Sequence, residues 1–308
     1  MKKIVVTGGA GFIGSHLVEA LVNLGMDVCV VDNLSTGKKE NIQQVLSKIQ
    51  FFEESIVHTN FLKKIFAGAD AVIHLAALPS VPKSIKFPVE TNTANAVGTL
   101  SVFTAARDAG VDRVVYASSS SVYGNAPVLP KVETMTPNPL SPYANQKLRT
   151  ELYGNMFYTT YGLKTIGLRY FNIFGPRQNP DSEYSAVIPK FIRLMKKGES
   201  PIMYGDGEHT RDFTYVQNVV EANLCALNAE RGFGETYNIA AGGQISLNDL
   251  VEKINAILFT TIKPCYESPR AGDIKDSFAD IGEAKRIFGY EPVVSFEDGL
   301  KLTIDSIA

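Results

Sequence analysis

The sequence has few of the residues that build disulfide frameworks or metal sites. Its 308 residues include three cysteines and four histidines, scattered along the chain. Cys29, Cys225 and Cys265 are an odd number without CxxC spacing, so no disulfide framework is expected. Cys29 lies in an apolar run and is interpreted as a small buried hydrophobe. We therefore expect neither a disulfide scaffold nor a metal centre.

The sequence also lacks an excess of one charge and lacks long apolar runs. Lys and Arg number 30 against 32 Asp and Glu, so no basic field indicates nucleic acid or a membrane surface. The apolar run after the first two lysines is too short for a signal peptide, and no segment approaches about 18 uninterrupted apolar residues. The sequence predicts a soluble, cytoplasmic protein.

Short apolar runs alternate with helical patterns through the first half of the chain. This alternation is typical of βαβ units with a parallel sheet. The predicted strands are KIVVTG, DVCVVD, FFEESI, DAVIHLAA, RVVYASS, KTIGLRYFNIFG and, late in the chain, ETYNIA. The longest predicted helices cover residues 12–25, about 89–109 and the segment SPYANQKLRTELYGNMFYTTYG.

After about Gly175 the alternation weakens, and Pro, Gly and loop signals increase. We expect residues 1–172 to form a dinucleotide-binding domain, to which a later segment, about 213–240, returns. Residues 173–308 are expected to form mainly a smaller substrate-binding lobe. No linker composition separates the two, so the lobes are expected to be interwoven.

The segment TGGAGFIG places Gly8, Gly11 and Gly14 between the first predicted strand and the first predicted helix. Glycines there let the backbone approach a pyrophosphate, and the helix N-terminus adds partial positive charge. Asp32 ends the second strand, 18 residues after Gly14, where an acid would bind the ribose hydroxyls of NAD and repel the extra phosphate of NADP. The alternative for Asp32 is a turn cap in DNLSTG.

The segment YANQK places Tyr143 and Lys147 four residues apart on one helical face. A free tyrosine, with a pKa of about 10, is a poor base near neutrality. A nearby ammonium group and a cationic nicotinamide ring would stabilise its phenolate. The alternative is a chance pair on a solvated helix, which the upstream glycine motif and the serine block Ser118–Ser121 make less attractive.

Seven motifs occur in the order found in the extended short-chain dehydrogenases: TGGAGFIG, DNLSTG, HLAA, NAVGT, SSSSVYG, YANQK and RYFNIFGPRQ. The chain resembles the nucleotide-sugar epimerases of that group, of the UDP-glucose and UDP-N-acetylglucosamine 4-epimerase type, from Lys3 nearly to the C-terminus. The resemblance implies a Rossmann-type doubly wound α/β fold and tightly bound NAD. It also implies a UDP-sugar substrate and a homodimer formed through helices that include the Tyr143 helix.

The resemblance also implies roles for individual residues. Ser119, Tyr143 and Lys147 match the catalytic serine, base and lysine. The residues expected to bind the cofactor are Gly8, Gly11, Phe12, Ile13, Gly14, Asp32, Asn33, Ser35, Thr36, Gly37, Ile56, Leu75, Ala76, Ala77, Asn95, Tyr143, Lys147 and Tyr170. Those expected to bind the substrate are Ser80, Ser119, Ser120, Asn172, Ala186, Val187, Tyr204, Arg211, Arg270, Asp273 and Ser277.

The serine block helps to choose among the reactions of this group. Dehydratases and decarboxylases carry an Asp or Glu just after the catalytic hydroxyl, whereas this chain has Ser120 and Ser121. Oxidation and re-reduction at sugar C4 needs no such acid, so a 4-epimerase is favoured. A dehydratase or reductase of the same group, or a non-catalytic dinucleotide sensor, remain the alternatives.

The expected sugar depends on one small residue. In the family, a bulky Tyr four residues after the Asp of RxGD walls off the sugar C2 substituent; here that residue is Ser277. The loop LPSVPKS, with Ser80, likewise resembles epimerases of N-acetylated sugars. We expect UDP-glucose and UDP-galactose together with their N-acetylated counterparts. The chain departs from its relatives at Ser55, where an acid usually contacts adenine, and at Gln217 and Asn218.

Overall fold

The computed structural model describes residues 2–179, 187–268 and 276–307. The strands are β1 Lys3–Thr7, β2 Asp27–Val31, β3 Ile49–Phe52, β4 Ala71–His74, β5 Arg113–Ser119, β6 Lys164–Tyr170, β7 Ile173–Phe174, β8 Ile202–Tyr204, β9 Thr210–Arg211, β10 Thr214–Tyr215, β11 Glu235–Ile239, β12 Ile245–Ser246, β13 Cys265–Glu267 and β14 Asp276–Ser277. The helices are α1 Phe12–Asn23, α2 Thr59–Phe66, α3 Val81–Lys86, α4 Pro88–Asn92, α5 Gly98–Ala109, α6 Pro142–Tyr161, α7 Val187–Lys196, α8 Val216–Leu227, α9 Leu247–Leu258, α10 Gly282–Phe288 and α11 Phe296–Ser306. Short 3₁₀ turns cover Lys39–Ile42, Leu46–Lys48 and Ser120–Tyr123, and a π-helical turn covers Thr93–Val97.

Seven of these strands form one parallel sheet in the order β11-β6-β5-β4-β1-β2-β3. Its inner strands are rich in Val and Ile and buried, as expected for a sheet covered on both faces. Helices α1 and α8 pack on one face, and α2, α5 and α6 pack on the other. The predicted doubly wound α/β fold is confirmed.

The order of the strands reverses at β1, which pairs with β2 on one side and β4 on the other. In open α/β sheets, ligands bind at the carboxyl ends of the strands next to such a reversal. The segments that follow β1, β2, β4 and β5 are therefore the first place to look for a site. They include the glycine motif, Asp32 and the serine block.

The chain leaves the large sheet after β6 and returns to it as β11, beside β6. Between and beyond these strands, α7, α9 and α11 enclose a separate apolar core with aromatic contacts among Phe174, Phe213 and Phe296. Two small sheets accompany this core, in the orders β12-β9-β14 and β13-β8. Phe12 and Ile13 of α1 pack against the same core, so the glycine turn adjoins the second group of elements.

Three findings concern the parts of the chain that the structure describes. None of the described helices combines the length and hydropathy needed to span a membrane. Across residues 2–179, 187–268 and 276–307, no three His, Cys, Asp or Glu side chains gather as metal ligands would. Each of the three cysteines is a free thiol, and Cys29 is buried as expected.

Candidate active site

The glycine motif forms a close-packed turn between β1 and α1. Gly8 has a φ of +76°, and a Cβ there would lie 2.6 Å from the Ala76 nitrogen. A Cβ on Gly14 would lie 2.1 Å from the Gly8 carbonyl oxygen. Helix α1 begins after Gly11 with no acid in its first turn and no side chain among the described residues capping it. Its first N–H groups therefore form an anion site suited to a diphosphate.

Asp32 directly follows β2 and is 6% exposed. Its carboxylate accepts the N–H of Ala10 at 2.9 Å and the N–H of Leu34 at 2.8 Å. Burial raises the pKa of Asp32, and the two backbone hydrogen bonds oppose that shift. The side chain thus caps its turn, as the alternative held. Each carboxylate oxygen can accept more than one hydrogen bond, so the same group could also receive ribose hydroxyls.

The loop after β4 is tied to α6 through Asn95, which lies in the π-helical turn. The side-chain Oδ1 of Asn95 accepts the N–H of Leu78 at 2.7 Å, and its side-chain amide N–H donates to Gln146 Oε1 at 2.8 Å. This places Leu75, Ala76 and Ala77 along one edge of the cleft. Gln146 was not identified from the sequence, although it lies inside the YANQK motif.

Helix α6 begins with strong local signals. The Ser141 side chain caps it by accepting the N–H of Ala144 at 3.1 Å, and Pro142 occupies the first turn. The backbone N–H of Tyr143 donates to the Ser84 hydroxyl at 3.0 Å. The helix start is therefore anchored to α3 as well as capped locally.

The three expected catalytic residues meet where β5 ends against α6. The Ser119 side chain lies close enough to the Tyr143 phenol to lower the pKa of that phenol. The Lys147 ammonium donates to the Ala117 carbonyl at 2.8 Å. The Ser119 hydroxyl oxygen accepts both the N–H and the O–H of Ser121, at 3.2 and 2.9 Å, which leaves the Ser119 proton for the phenol.

The environment sets the ionisation of Tyr143 and Lys147. Burial raises the pKa of Tyr143 to about 12, and the bond from Ser119 lowers it in part. Burial lowers the pKa of Lys147 to about 8, and Glu151 opposes that shift. The chain by itself therefore keeps Tyr143 protonated at neutral pH. A further positive charge is needed to ionise it, and an oxidised nicotinamide ring would supply one.

Other residues expected at the cofactor line the same strand ends. Gly37 is buried against Ala10 and Asp32, while Asn33, Ser35 and Thr36 are exposed around them. Ile56 is buried, and its side chain lies where a Cβ on Gly98 would fall. The Tyr170 hydroxyl, at the end of β6, is paired with Asn223 of α8.

Some residues expected at the substrate lie on the second group of elements. Arg211 of β9 and Ser277 of β14 are paired in register, and Arg211 donates to the Thr210 carbonyl at 2.8 Å. Asn172 has a φ of +39° and donates to the Asp212 carbonyl at 3.1 Å.

Further residues in this set lie on other segments. Tyr204 ends β8, Val187 begins α7, and Ser120 lies in the 3₁₀ turn after β5. Ser80 caps α3 by accepting the N–H of Lys83 at 3.1 Å. Three remaining residues, namely Ala186, Arg270 and Asp273, lie outside the described residues.

Asp212 was not identified as a site residue from the sequence, where it was interpreted only as an ion partner of Arg211. It is fully buried, and its carboxylate accepts the N–H groups of Ala241 at 3.0 Å and Ala279 at 3.4 Å. Burial raises its pKa to about 6. Asp212 thus joins β9 to the chain segments on either side of it and fixes the strand that carries Arg211.

Comparison with known proteins gives a consistent result. The model of the NAD dependent epimerase/dehydratase family matches residues 4–240. A UDP-N-acetylglucosamine 4-epimerase from Methanobrevibacter ruminantium, solved with UDP-N-acetylmuramic acid, is 42% identical with a TM-score of 0.95, covering 99% of this chain and 97% of that one. A UDP-glucose 4-epimerase from Thermotoga maritima, solved with UDP-glucose, is 40% identical with a TM-score of 0.93, covering 99% and 98%.

A relative with another reaction also matches. The UDP-N-acetyl-alpha-D-glucosaminuronate decarboxylase of Bacillus cytotoxicus is 35% identical over 98% of this chain and 97% of its own length. Relatives that match this chain over nearly their full length therefore include both epimerases and a decarboxylase. Together with the glycine turn and the Ser119, Tyr143 and Lys147 arrangement, the match shows that the chain belongs to the NAD dependent epimerase/dehydratase family and that NAD is its cofactor.

Proposed function

We propose that this protein is a UDP-hexose 4-epimerase that inverts C4 of UDP-sugars through a transient 4-keto intermediate. The observation that carries the proposal is the approach of the Ser119 side chain to the Tyr143 phenol, with Lys147 one turn further along α6 and serines rather than carboxylates after Ser119. This arrangement can move a proton at a sugar hydroxyl. It offers no adjacent acid for elimination or decarboxylation.

The proton transfer follows from the geometry of the pair. The Tyr143 phenolate removes the C4 hydroxyl proton, with Ser119 relaying it, and returns it in the reverse step. Lys147 stabilises the phenolate through its positive charge. NAD, when bound, would supply the redox chemistry of this reaction as acceptor and donor of the C4 hydride.

The residues that would hold NAD are those of the glycine turn and the strand ends. The diphosphate fits the N–H groups at the start of α1, and the ribose fits Asp32. The close approach of Gly14 to Gly8 and of Gly8 to Ala76 provides the shallow turn that a dinucleotide requires. The proposed diphosphate site is therefore formed by backbone atoms of the glycine turn and the start of α1.

Inversion also requires the sugar to turn over between the two transfers. We infer that the nucleotide stays anchored by Arg211, Asn172 and the segment of Tyr204, while the sugar is held loosely. Arg270 and Asp273 belong to the same proposed set. Strong contacts to the part that does not react let one site accept both epimers.

Incubation with UDP-glucose and with UDP-N-acetylglucosamine, without added cofactor, tests the proposal. We expect formation of the C4 epimer with no net change in NADH. Tyr143→Phe should lower turnover by at least about 10²-fold and spare UDP binding, because it removes the acid–base group alone. Net NADH consumption, a stable keto product or release of carbon dioxide would instead indicate the reductase, dehydratase or decarboxylase chemistry of relatives.

We further propose that the site accepts N-acetylated sugars as well as glucose and galactose. Ser277 is small and lies directly beside Arg211, so space remains next to the sugar C2 position. Ser80 keeps its hydroxyl proton available, since its oxygen only accepts in the α3 cap. The N-acetylglucosamine epimerase from Methanobrevibacter ruminantium is a relative with such a substrate.

Ser277→Tyr tests this substrate range. The added ring should lower kcat/KM for UDP-N-acetylglucosamine by about 10²-fold, because the acetamido group needs the space. The kcat/KM for UDP-glucose should stay within a few fold of the wild-type value. Equal losses on both sugars, or none, would show that Ser277 does not limit the substrate.

We also propose the two-lobe division predicted from the sequence, residues 1–172 with 213–240 and mainly 173–308, and a homodimer. Helix α6 exposes Leu152 and Met156 one turn apart, with 60% and 38% of their surfaces accessible. Val97, 46% exposed, adds to this surface from the adjoining π turn. An apolar stripe on an outer helix is suited to pairing with a second copy.

A further inference from the structure

A buried ion pair lies behind the catalytic residues and takes no part in the mechanism above. Glu151 and Arg169 expose 8% and 7% of their side chains. The guanidinium holds the carboxylate by two hydrogen bonds, of 2.9 and 2.7 Å. Burying such a pair costs desolvation free energy that its attraction only roughly offsets, so stability is a weak reason for its presence.

The pair is joined to the catalytic residues by a regular contact pattern. Helix α6 presents Tyr143, Lys147 and Glu151 at intervals of four residues, on one face. Each of the last three residues of β5 meets one of them: Ser119 lies beside the Tyr143 phenol, the Ala117 carbonyl accepts from Lys147, and the Ser118 hydroxyl donates to Glu151. Glu151 therefore completes the registration of α6 on the strand that carries Ser119.

The pair also acts on the charge of Lys147. Glu151 supplies the one carboxylate among the described residues whose charge raises the pKa of Lys147. The other titratable groups around Lys147 and Glu151 are Tyr143 on α6, His74 of β4, Tyr116 of β5, Arg169 of β6 and Tyr123 of the following 3₁₀ turn. His74 is held neutral by its burial, so it adds no compensating charge at neutral pH.

We propose that Glu151 is a positioning residue for the reaction, which registers α6 on the end of β5 and stabilises the ammonium of Lys147, while Arg169 holds its carboxylate in place. The inference rests on the proposed roles of Tyr143 and Lys147. It assigns the buried pair a function in setting the electrostatics of catalysis.

Glu151→Gln keeps the shape of the side chain and removes its charge. Without that charge both Lys147 and Tyr143 lose protons more readily, so both limbs of the kcat–pH profile should move to lower pH, by about one unit. Glu151→Asp and Arg169→Lys keep the charges and alter only the fit. These two variants should lower turnover without shifting either limb of the kcat–pH profile along the pH axis.

A Glu151→Gln profile that is lower but not displaced would overturn the proposal, because it would indicate a structural role only. Should this variant fail to fold, Glu151→Gln combined with Arg169→Met leaves no unpaired buried charge. A smaller displacement in the same direction is expected of the double variant, because the loss of the Arg169 charge partly offsets the loss of the Glu151 charge that acts on Lys147. Its absence there counts equally against the proposal.

A titration that needs no turnover separates this inference from the proposed function. In holoenzyme labelled at tyrosine Cζ, the NMR signal of Tyr143 is assigned by its loss in Tyr143→Phe. Ionisation of Tyr143 at lower pH in the Glu151→Gln variant supports the coupling even if no UDP-sugar is turned over. Unchanged ionisation refutes it even in an active epimerase.

Discussion

At the scale of single residues, the serine block shows how one side chain orients another. Ser120 and Ser121 were informative in the sequence because they are not carboxylates. In the structure, Ser121 also donates twice to the Ser119 oxygen and so directs the Ser119 proton to Tyr143. Ser121 is therefore a positioning residue that motif comparison did not single out.

His74 is a second such residue, and its environment predicts acid sensitivity. Its Nδ1 pairs with Thr7 at 2.7 Å, and its Nε2 pairs with Thr99 at 2.9 Å. The Thr99 hydroxyl donates to the Asn95 carbonyl at 2.5 Å, so Nε2 carries the proton and Nδ1 accepts. The neutral ring thus satisfies every partner, and burial lowers its pKa to about 3.

This depressed pKa has a definite consequence for stability. The unfolded chain takes up a proton at His74 near the ordinary value of 6.5, and the folded chain does so only near 3. The free energy of unfolding is therefore unaffected by protonation of His74 above about pH 6.5. As the pH falls below that value, the free energy of unfolding decreases by about 1.4 kcal/mol per pH unit. Between about pH 7 and about pH 5, the free energy of unfolding should fall by about 2 kcal/mol less in the His74→Gln variant than in the wild type.

Chemical denaturation at the two pH values measures this difference. Equal acid losses in the His74→Gln and wild-type proteins would contradict the assignment.

At the scale of elements, the glycine turn and α1 are the proposed cofactor cradle. Gly14→Ala places a methyl group 2.1 Å from the Gly8 carbonyl oxygen, so the turn or the helix must shift. We expect a loss of about 1–3 kcal/mol in the free energy of unfolding and loss of most co-purified NAD. Gly243→Ala is the control, because its Cβ meets no atom within 4 Å.

The free energy of unfolding reports on the stability of the fold, and the NAD content reports on cofactor binding at the glycine turn. A Gly14→Ala protein that retained full NAD content would exclude the turn as the diphosphate site. NAD content is read by absorbance after denaturing the purified protein, and the free energy of unfolding is read from denaturant titration.

At the scale of the whole molecule, the exposed stripe on α6 predicts an assembly. Replacing Leu152 and Met156 together by Glu places two charges on the proposed interface, so the dimer should dissociate to monomers by light scattering. Phe259→Glu, at a side chain that is 95% exposed and far along the sequence, should leave the mass unchanged. A wild type that is monomeric, or a double variant that remains dimeric, would refute this interface.

Much of the architecture followed from sequence patterns, because they reflect local physics. Alternating apolar runs and helical stretches indicated the seven strands of the sheet, including ETYNIA as a late strand. The third was misplaced, because β3 covers Ile49–Phe52 and shares only its last two residues with FFEESI. Capping signals and Pro142 placed the start of α6. The glycines marked a turn that no side chain could fill. These features depend on residues close together in the chain.

The sequence by itself determined the α/β class, the glycine turn and the identity of the Ser119, Tyr143 and Lys147 set. Only the tertiary structure decided which groups hold that set, and Arg211, in place. Ser84, Glu151, Arg169 and Asp212 are far from their partners along the chain, so neither spacing nor periodicity predicts their contacts. Their hydrogen bonds and pKa shifts arise from burial and from charges brought together by folding, which act through space and leave no local pattern in the sequence.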